Sequence, residues 1–137
     1  MLRKKALRLI DANFNRAKEG LRVCEDILRF MYDDRLLTKS FKQFRHDCTR
    51  ILLEFPVSYR ILVRTRAASR DVGKNNVILE KRKPTWKDIL TSNIKRAQES
   101  LRVLEEASKI VAPEKSRSFQ SLRFKLYELE KRVLKKF

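Results

Sequence analysis

Asparagine, arginine and glutamate recur at fixed spacing in two places of this 137-residue chain. In "ANFNRAKEGLRVCED", which begins at Ala12, Asn13, Arg16, Glu19, Arg22 and Glu25 stand among Ala17, Leu21 and Val23. In "SNIKRAQESLRVLEE", which begins at Ser92, the same types occupy Asn93, Arg96, Glu99, Arg102, Glu105, Ala97, Leu101 and Val103. The offset is a constant 80 residues (13 to 93, 25 to 105). Apolar spacing alone makes two helices pack alike, so repetition of the polar types asks for a chemical reason. Every repeated cation is arginine, whose planar fork grips phosphate oxygens at two points, as lysine cannot. The repeated arginines are Arg16, Arg22, Arg96 and Arg102. The plainer reading is that arginine and glutamate three residues apart support a helix by a few tenths of a kcal/mol and need no function.

Two other places carry chemistry-bearing types. His46, the one histidine, lies between Arg45 and Asp47; it is either a hydrogen-bonded structural residue or a general acid–base group. The stretch from Ser69 to Asn76 holds Arg70, Asp71, Gly73 and Lys74, and reads either as a linker or as a loop closing over an anion, with Asp71 on magnesium. No P-loop, dinucleotide fingerprint, kinase signature or nucleophile elbow is present. One histidine and two dispersed cysteines argue against zinc.

The elements that would position these residues are helices. Charged residues at 37%, hydrophobic ones at 42%, two Gly and three Pro suit amphipathic helices better than sheet turns. Ile10, Phe14, Ala17, Leu21, Cys24 and Leu28 predict a first helix ending near Met31. Leu37, Phe41, Phe44, Cys48, Ile51 and Phe55 predict a second, stopped by Pro56. A short third helix fits "PVSYRILVRTRAAS", and a loop fits Arg70 to Pro84. Thr85 with Asp88 three residues on opens a fourth helix running to about Ala112. Phe119, Leu122, Leu126, Leu129 and Val133 mark the last. Phe41, Phe44, Arg45 and Cys48 match Phe119, Leu122, Arg123 and Leu126 at an offset of 78 (41 to 119, 45 to 123).

The expectation is therefore an all-α fold in one domain, 1–137. It is a four- to five-helix bundle of two repeated helical hairpins, about 1–55 and 85–137, with pseudo-twofold symmetry and a basic linker over about 56–84. At about 100° per residue, Asn13 and Gly20 fall inside the apolar stripe. Arg16, Glu19 and Val23 lie along one flank, and Arg22 and Glu25 nearer the opposite side. A buried amide costs free energy unless its hydrogen bonds are met, so Asn13 and Asn93 either bond each other to fix register or face a ligand. Gly20 and Ser100 predict a close crossing of the two copies.

The charge of +17, from 34 Lys plus Arg against 17 Asp plus Glu, implies attraction to nucleic acid, acidic membranes or phosphorylated small molecules, or a solvated surface. Aromatics at core-stripe positions leave few stacking platforms, which disfavours nucleic acid. No uncharged stretch approaches the roughly 20 residues of a membrane span, and no leader is visible. Cys24 and Cys48 fall in apolar stripes, as reduced core thiols of a cytoplasmic protein do. A homodimer through a helix face remains open.

The blocks "DANFNRAKEGLRVCEDILRF" (Asp11 to Phe30), "FRHD" (Phe44 to Asp47), "RDVG" (Arg70 to Gly73), "NIKRAQESLRVLEE" (Asn93 to Glu106) and "LRFKLYELEK" (Leu122 to Lys131) occur in order along nearly the whole chain. Together they resemble the small helical hydroxymethylpyrimidine phosphate kinase of the second type, often fused ahead of thiamine-phosphate synthase and often labelled thiamine-phosphate pyrophosphorylase. Ending at Phe137, the chain is expected to be a stand-alone version. The resemblance implies transfer of the γ-phosphoryl group of ATP, with Mg2+, to 4-amino-5-hydroxymethyl-2-methylpyrimidine phosphate in thiamine biosynthesis. Combined with the residue pattern, it makes Arg16, Arg22, Arg96, Arg102 and Asp71 the catalytic candidates. Asn13, Asn93, Arg45, His46 and Arg70 are the substrate-binding candidates, and Glu19, Glu99 and Asp71 the metal ligands. The competing expectations are a non-catalytic helical partner of thiamine-phosphate synthase and a basic nucleic-acid-binding module.

Overall fold

The structure, a computed structural model, describes residues 1–74 and 83–137. The described residues form α1 (Leu2–Phe30), α2 (Arg35–Glu54), α3 (Tyr59–Arg64), a 3-10 turn (Ala68–Arg70), α4 (Trp86–Val111) and α5 (Pro113–Lys136), with no strand among them. The all-α helical bundle expected from the apolar spacing is present. Part of the expected linker loop, 75–82, lies outside the described residues.

Local chemistry sets the helix boundaries. Asp34 caps α2, accepting from the Leu37 N–H at 2.9 Å. At α4 the Thr85 hydroxyl accepts from the Asp88 N–H at 3.1 Å while the Asp88 carboxylate accepts from the Thr85 N–H at 2.8 Å, the capping box expected from the sequence. Pro113 opens α5, where a missing N–H costs nothing. The turn from α1 to α2 puts Asp33 at φ 48, a left-handed conformation that aspartate tolerates better than most residues.

α1 and α4 form the most extensive helix pair; α2 lies against α1, α5 against α4, and a lighter α2–α5 contact closes the bundle. Ile10, Leu21 and Leu28 of α1 meet Leu90, Ile94, Leu101 and Leu104 of α4 in the core, with Phe41 and Phe119 from the flanking helices. Phe14 joins three helical segments, edge-on to Phe55 at 6.0 Å and to Phe119 at 5.5 Å between centroids. Both cysteines are buried and free, and burial pushes each thiol up to about 12. They are packing residues at neutral pH, as the stripe positions indicate.

The second repeat explains a pair of buried ion pairs. Arg45 Nε donates to Glu25 Oε2 at 2.8 Å between α2 and α1. Arg123, at the matching place on α5, donates to Glu105 Oε2 of α4 from Nη2 at 2.9 Å and from Nε at 3.2 Å. The Arg123 side chain is 9% exposed and Glu105 5%. Hydrogen bonds to Tyr127 and then Glu105 hold the Arg123 guanidinium above its ordinary range. Each hairpin is thus fastened by one glutamate and one arginine in equivalent positions.

Two predictions concern this framework. Arg123→Ala strips the buried Glu105 carboxylate of its hydrogen-bonded partner, leaving only Arg102 at 3.8 Å, and should cost about 3 kcal/mol in urea unfolding. Arg45→Ala should cost less, because one hydrogen bond is lost there instead of a forked pair. Asp34 is held below the usual carboxylate range by Lys136 and by the Leu37 N–H. Its contribution is therefore fully present above the unfolded value of about 3.9 and is lost as pH falls through the lowered folded value. Asp34→Asn retains a capping oxygen but cannot titrate, so it should flatten that part of the acid limb of stability against pH.

Candidate functional site

At the α1–α4 crossing the chains come unusually close. A Cβ placed on Gly20 would stand 3.1 Å from the Asn93 carbonyl oxygen, tighter than ordinary packing allows. The matching position holds Ser100, which is buried with its hydroxyl donating to the Arg96 carbonyl at 2.8 Å. This approach brings the two repeated motifs face to face around a cavity of about 740 Å³. Its wall consists of five matched pairs: Asn13 and Asn93, Arg16 and Arg96, Glu19 and Glu99, Gly20 and Ser100, Val23 and Val103. All five pairs keep the 80-residue offset.

The amides do not bond each other. Asn13 Nδ2 donates to the Leu9 carbonyl at 3.0 Å, and Asn93 Nδ2 to the Ile89 carbonyl at 2.8 Å, each four residues back on its own helix. That satisfies one donor of each group and leaves each Oδ1 without a hydrogen bond among the described residues. Arg16, Arg96, Glu19 and Glu99 are exposed, and their side chains make no ion pair or hydrogen bond among the described residues. Two guanidinium groups and two carboxylates without partners among the described residues share one cavity with Val23 and Val103. Such a set can grip phosphate oxygens and, through the carboxylates, a divalent cation that phosphates carry.

The remaining candidates lie elsewhere. Arg22 faces Asp26 at 3.6 Å on the outer side of α1, and Arg102 reaches Glu105 at 3.8 Å and Glu106 at 3.3 Å on α4. Neither lines the cavity, because both sit on the far phase of their helices. Arg45 is engaged by Glu25 in the hairpin pair, and His46 is exposed on α2, off the cavity wall. Arg70 and Asp71 are exposed near the 3-10 turn, with Asp71 Oδ1 accepting from the Gly73 N–H at 2.9 Å. Asp71 borders a separate hollow of about 230 Å³ with Arg8, Asn15 and Arg66.

Sequence reasoning did not single out Asp11 or Arg66. Asp11 is 3% exposed, and Arg66 meets it in a fork, Nε to Oδ2 at 2.6 Å and Nη2 to Oδ1 at 3.0 Å. Tyr59 accepts from the same Nη2 at 3.3 Å, and these bonds raise the Arg66 guanidinium above its ordinary range. A carboxylate beside the apolar stripe signals that it needs a partner; the partner 55 residues away is visible only in the fold. Among the described residues no group of three or more His, Cys, Asp or Glu side chains converges on a metal position. Glu19 and Glu99 are the two cavity-lining carboxylates that could hold magnesium, an ion that keeps water and phosphate oxygens as most of its ligands. No helix among the described residues is long and apolar enough to cross a membrane.

The crossing generates a stability prediction. Gly20→Leu would drive a branched side chain against the Asn93 backbone and should cost about 1–3 kcal/mol, despite the better helix propensity of leucine. Ser100→Gly opens space and should show only the roughly 0.5–1 kcal/mol of a helical glycine. Urea unfolding of both variants checks the order, which reverses if the helices slide apart freely.

Comparison with known proteins places these features in a family. The ThiD2 family model matches residues 8–132. The thiamine-phosphate synthase of Prochlorococcus marinus (strain MIT 9313) is 37% identical over 126 residues, covering 92% of this chain and 34% of that protein. The thiamine-phosphate synthase of Thermosynechococcus vestitus is 37% identical over 124 residues, covering 90% of this chain and 34% of that protein. That of Rhodopirellula baltica is 33% identical over 122 residues, covering 88% and 32%. The chain spans about a third of the length of these curated relatives. No solved structure matches it. The family match takes in every residue of the cavity wall and both hairpin ion pairs, and the chain belongs to the ThiD2 family.

Proposed function

We propose that this chain is a phosphotransferase of thiamine biosynthesis, acting in the α1–α4 cavity. The reaction moves the γ-phosphoryl group of ATP onto 4-amino-5-hydroxymethyl-2-methylpyrimidine phosphate. The observation that carries the reading is the pairing of unpartnered Arg16, Arg96, Glu19 and Glu99 across one cavity. In the transfer an acceptor phosphate oxygen forms the new P–O bond, the bond from the γ-phosphorus to the β,γ-bridging oxygen breaks, and ADP leaves. Such transfer depends on positioning and on stabilising charge on the phosphoryl oxygens.

Arg16 and Arg96 would hold those oxygens. Magnesium, held by Glu19 and Glu99, would supply charge neutralisation between donor and acceptor phosphates. The Oδ1 atoms of Asn13 and Asn93 suit the exocyclic amine of an aminopyrimidine, and Val23 with Val103 suits the faces of its ring. A phosphate acceptor is already ionised near neutral pH, so no general base is required and His46 has no part. In this reading Arg22, Arg102 and Arg45 order the helices instead of touching substrate. The cytoplasm, with ATP and reducing conditions for Cys24 and Cys48, is the matching compartment.

A second reading has its own support. The relatives are named thiamine-phosphate synthase, and about two thirds of their length lies outside the region this chain matches. That favours a non-catalytic helical companion of the synthase more than it favours a kinase.

One experiment separates the two. ATP consumption with the pyrimidine phosphate is followed for the wild type, Arg16→Ala, Arg96→Ala and an exposed control, Lys135→Ala. The kinase reading expects turnover that drops about 100-fold in each cavity variant and holds in the control. Turnover unchanged in all variants removes the clamp assignment. No turnover, together with capture by thiamine-phosphate synthase in a pull-down, selects the companion reading.

A further inference from the structure

The cavity is symmetric, yet a phosphoryl donor and its acceptor are not. The two halves are distinguished beside the cavity, on α1. One turn before Arg16 and Glu19, Ala12 and Asn15 border the hollow shared with Arg8, Arg66 and Asp71. Arg8 and Asn15 make no hydrogen bond or ion pair among the described residues. Arg66 is held by buried Asp11 through Nε and Nη2, and its Nη1 has no partner among the described residues. An arginine anchored along one edge by a buried carboxylate presents its other edge without further loss of side-chain entropy.

The same register on α4 offers nothing comparable. Position 88, matching Arg8, is an aspartate committed to the Thr85 capping box. Position 95, matching Asn15, is a lysine tied to Glu130 at 3.1 Å. Position 91, matching Asp11, is a threonine whose hydroxyl bonds the backbone of its own helix.

We propose that Arg8, Asn15 and the Nη1 edge of Arg66 form a second phosphate subsite, one helical turn along α1 from the Arg16 and Glu19 side of the cavity. It makes the α1 half the seat of a nucleoside triphosphate and leaves the α4 half to a monophosphate. The assignment to donor and acceptor rests on the phosphotransferase reading; the subsite itself is a statement about polyphosphate binding.

Titration calorimetry at about 0.15 M salt tests it, with inorganic tripolyphosphate and inorganic phosphate as probes. Arg8→Ala/Asn15→Ala should weaken tripolyphosphate about tenfold or more, while phosphate, which needs only the Arg16 and Arg96 region, changes less than about twofold. Arg66→Lys, which keeps the charge opposite Asp11 but removes the fork, should act in the same direction. The α4 counterpart Lys95→Ala should not. Melting curves confirm that each variant is folded. Tripolyphosphate affinity unchanged in both hollow variants, or equally weakened by Lys95→Ala, overturns the subsite.

The kinetic arm separates the two claims. Where turnover exists, Arg8→Ala/Asn15→Ala should raise KM for ATP and not for the pyrimidine phosphate; the reverse overturns the seating while the kinase stands. Loss of tripolyphosphate binding in a protein that never turns over ATP upholds the subsite and removes the kinase.

Discussion

The close approach of α1 to α4 at Gly20 is the constraint on which the remaining architecture depends. Only a residue without a Cβ sits easily so near the Asn93 carbonyl. With larger residues on both sides of the crossing the helices would stand further apart, and the five matched pairs would line two separate surfaces. The core follows from the same contact, because α1 and α4 present their apolar stripes to each other while α2 and α5 cover them from outside.

Within the repeated motif the polar residues divide by helical phase into two roles. Glu25 and Glu105 turn towards the flanking helices and meet Arg45 and Arg123, so each repeat binds its own hairpin partner. Asn13, Arg16 and Glu19, with their counterparts, turn towards the crossing, and most of their side-chain polar atoms have no partner among the described residues. Buried pairs of the first kind satisfy desolvated charges. Groups of the second kind stay solvated. One short motif thereby specifies both a fastening and the polar wall of a cavity.

Departures from the symmetry concentrate at the N-terminal end of α1 and the segment after α3. Asp11, Tyr59 and Arg66 tie that segment to α1, and no equivalent segment packs on α4 among the described residues. A duplicated hairpin gives the cavity two like walls, and an added element on one side gives them different neighbours.

The helices and their stops were legible along the chain because apolar spacing, Thr85 with Asp88, and Pro113 are local signals whose energetics act within a few residues. The flank carrying Arg16, Glu19 and Val23 was equally legible, since helical phase follows from residue number alone. The near identity of the two motifs further placed their polar sets in equivalent positions. Other questions were settled only by the tertiary structure. Arg22 and Arg102 share residue type and motif with Arg16 and Arg96, but the packing of neighbouring helices left only the latter pair on the cavity wall. Arg45 lies on Glu25 of the neighbouring helix through its Nε, a contact that chain order does not show. Asp11 and Arg66 are joined across 55 residues, a distance at which chain order carries no information about contact. Sequence determined which residues each helix faces outward or inward; the crossing of α1 and α4 decided which outward residues meet, because their meeting depends on how closely two backbones can approach.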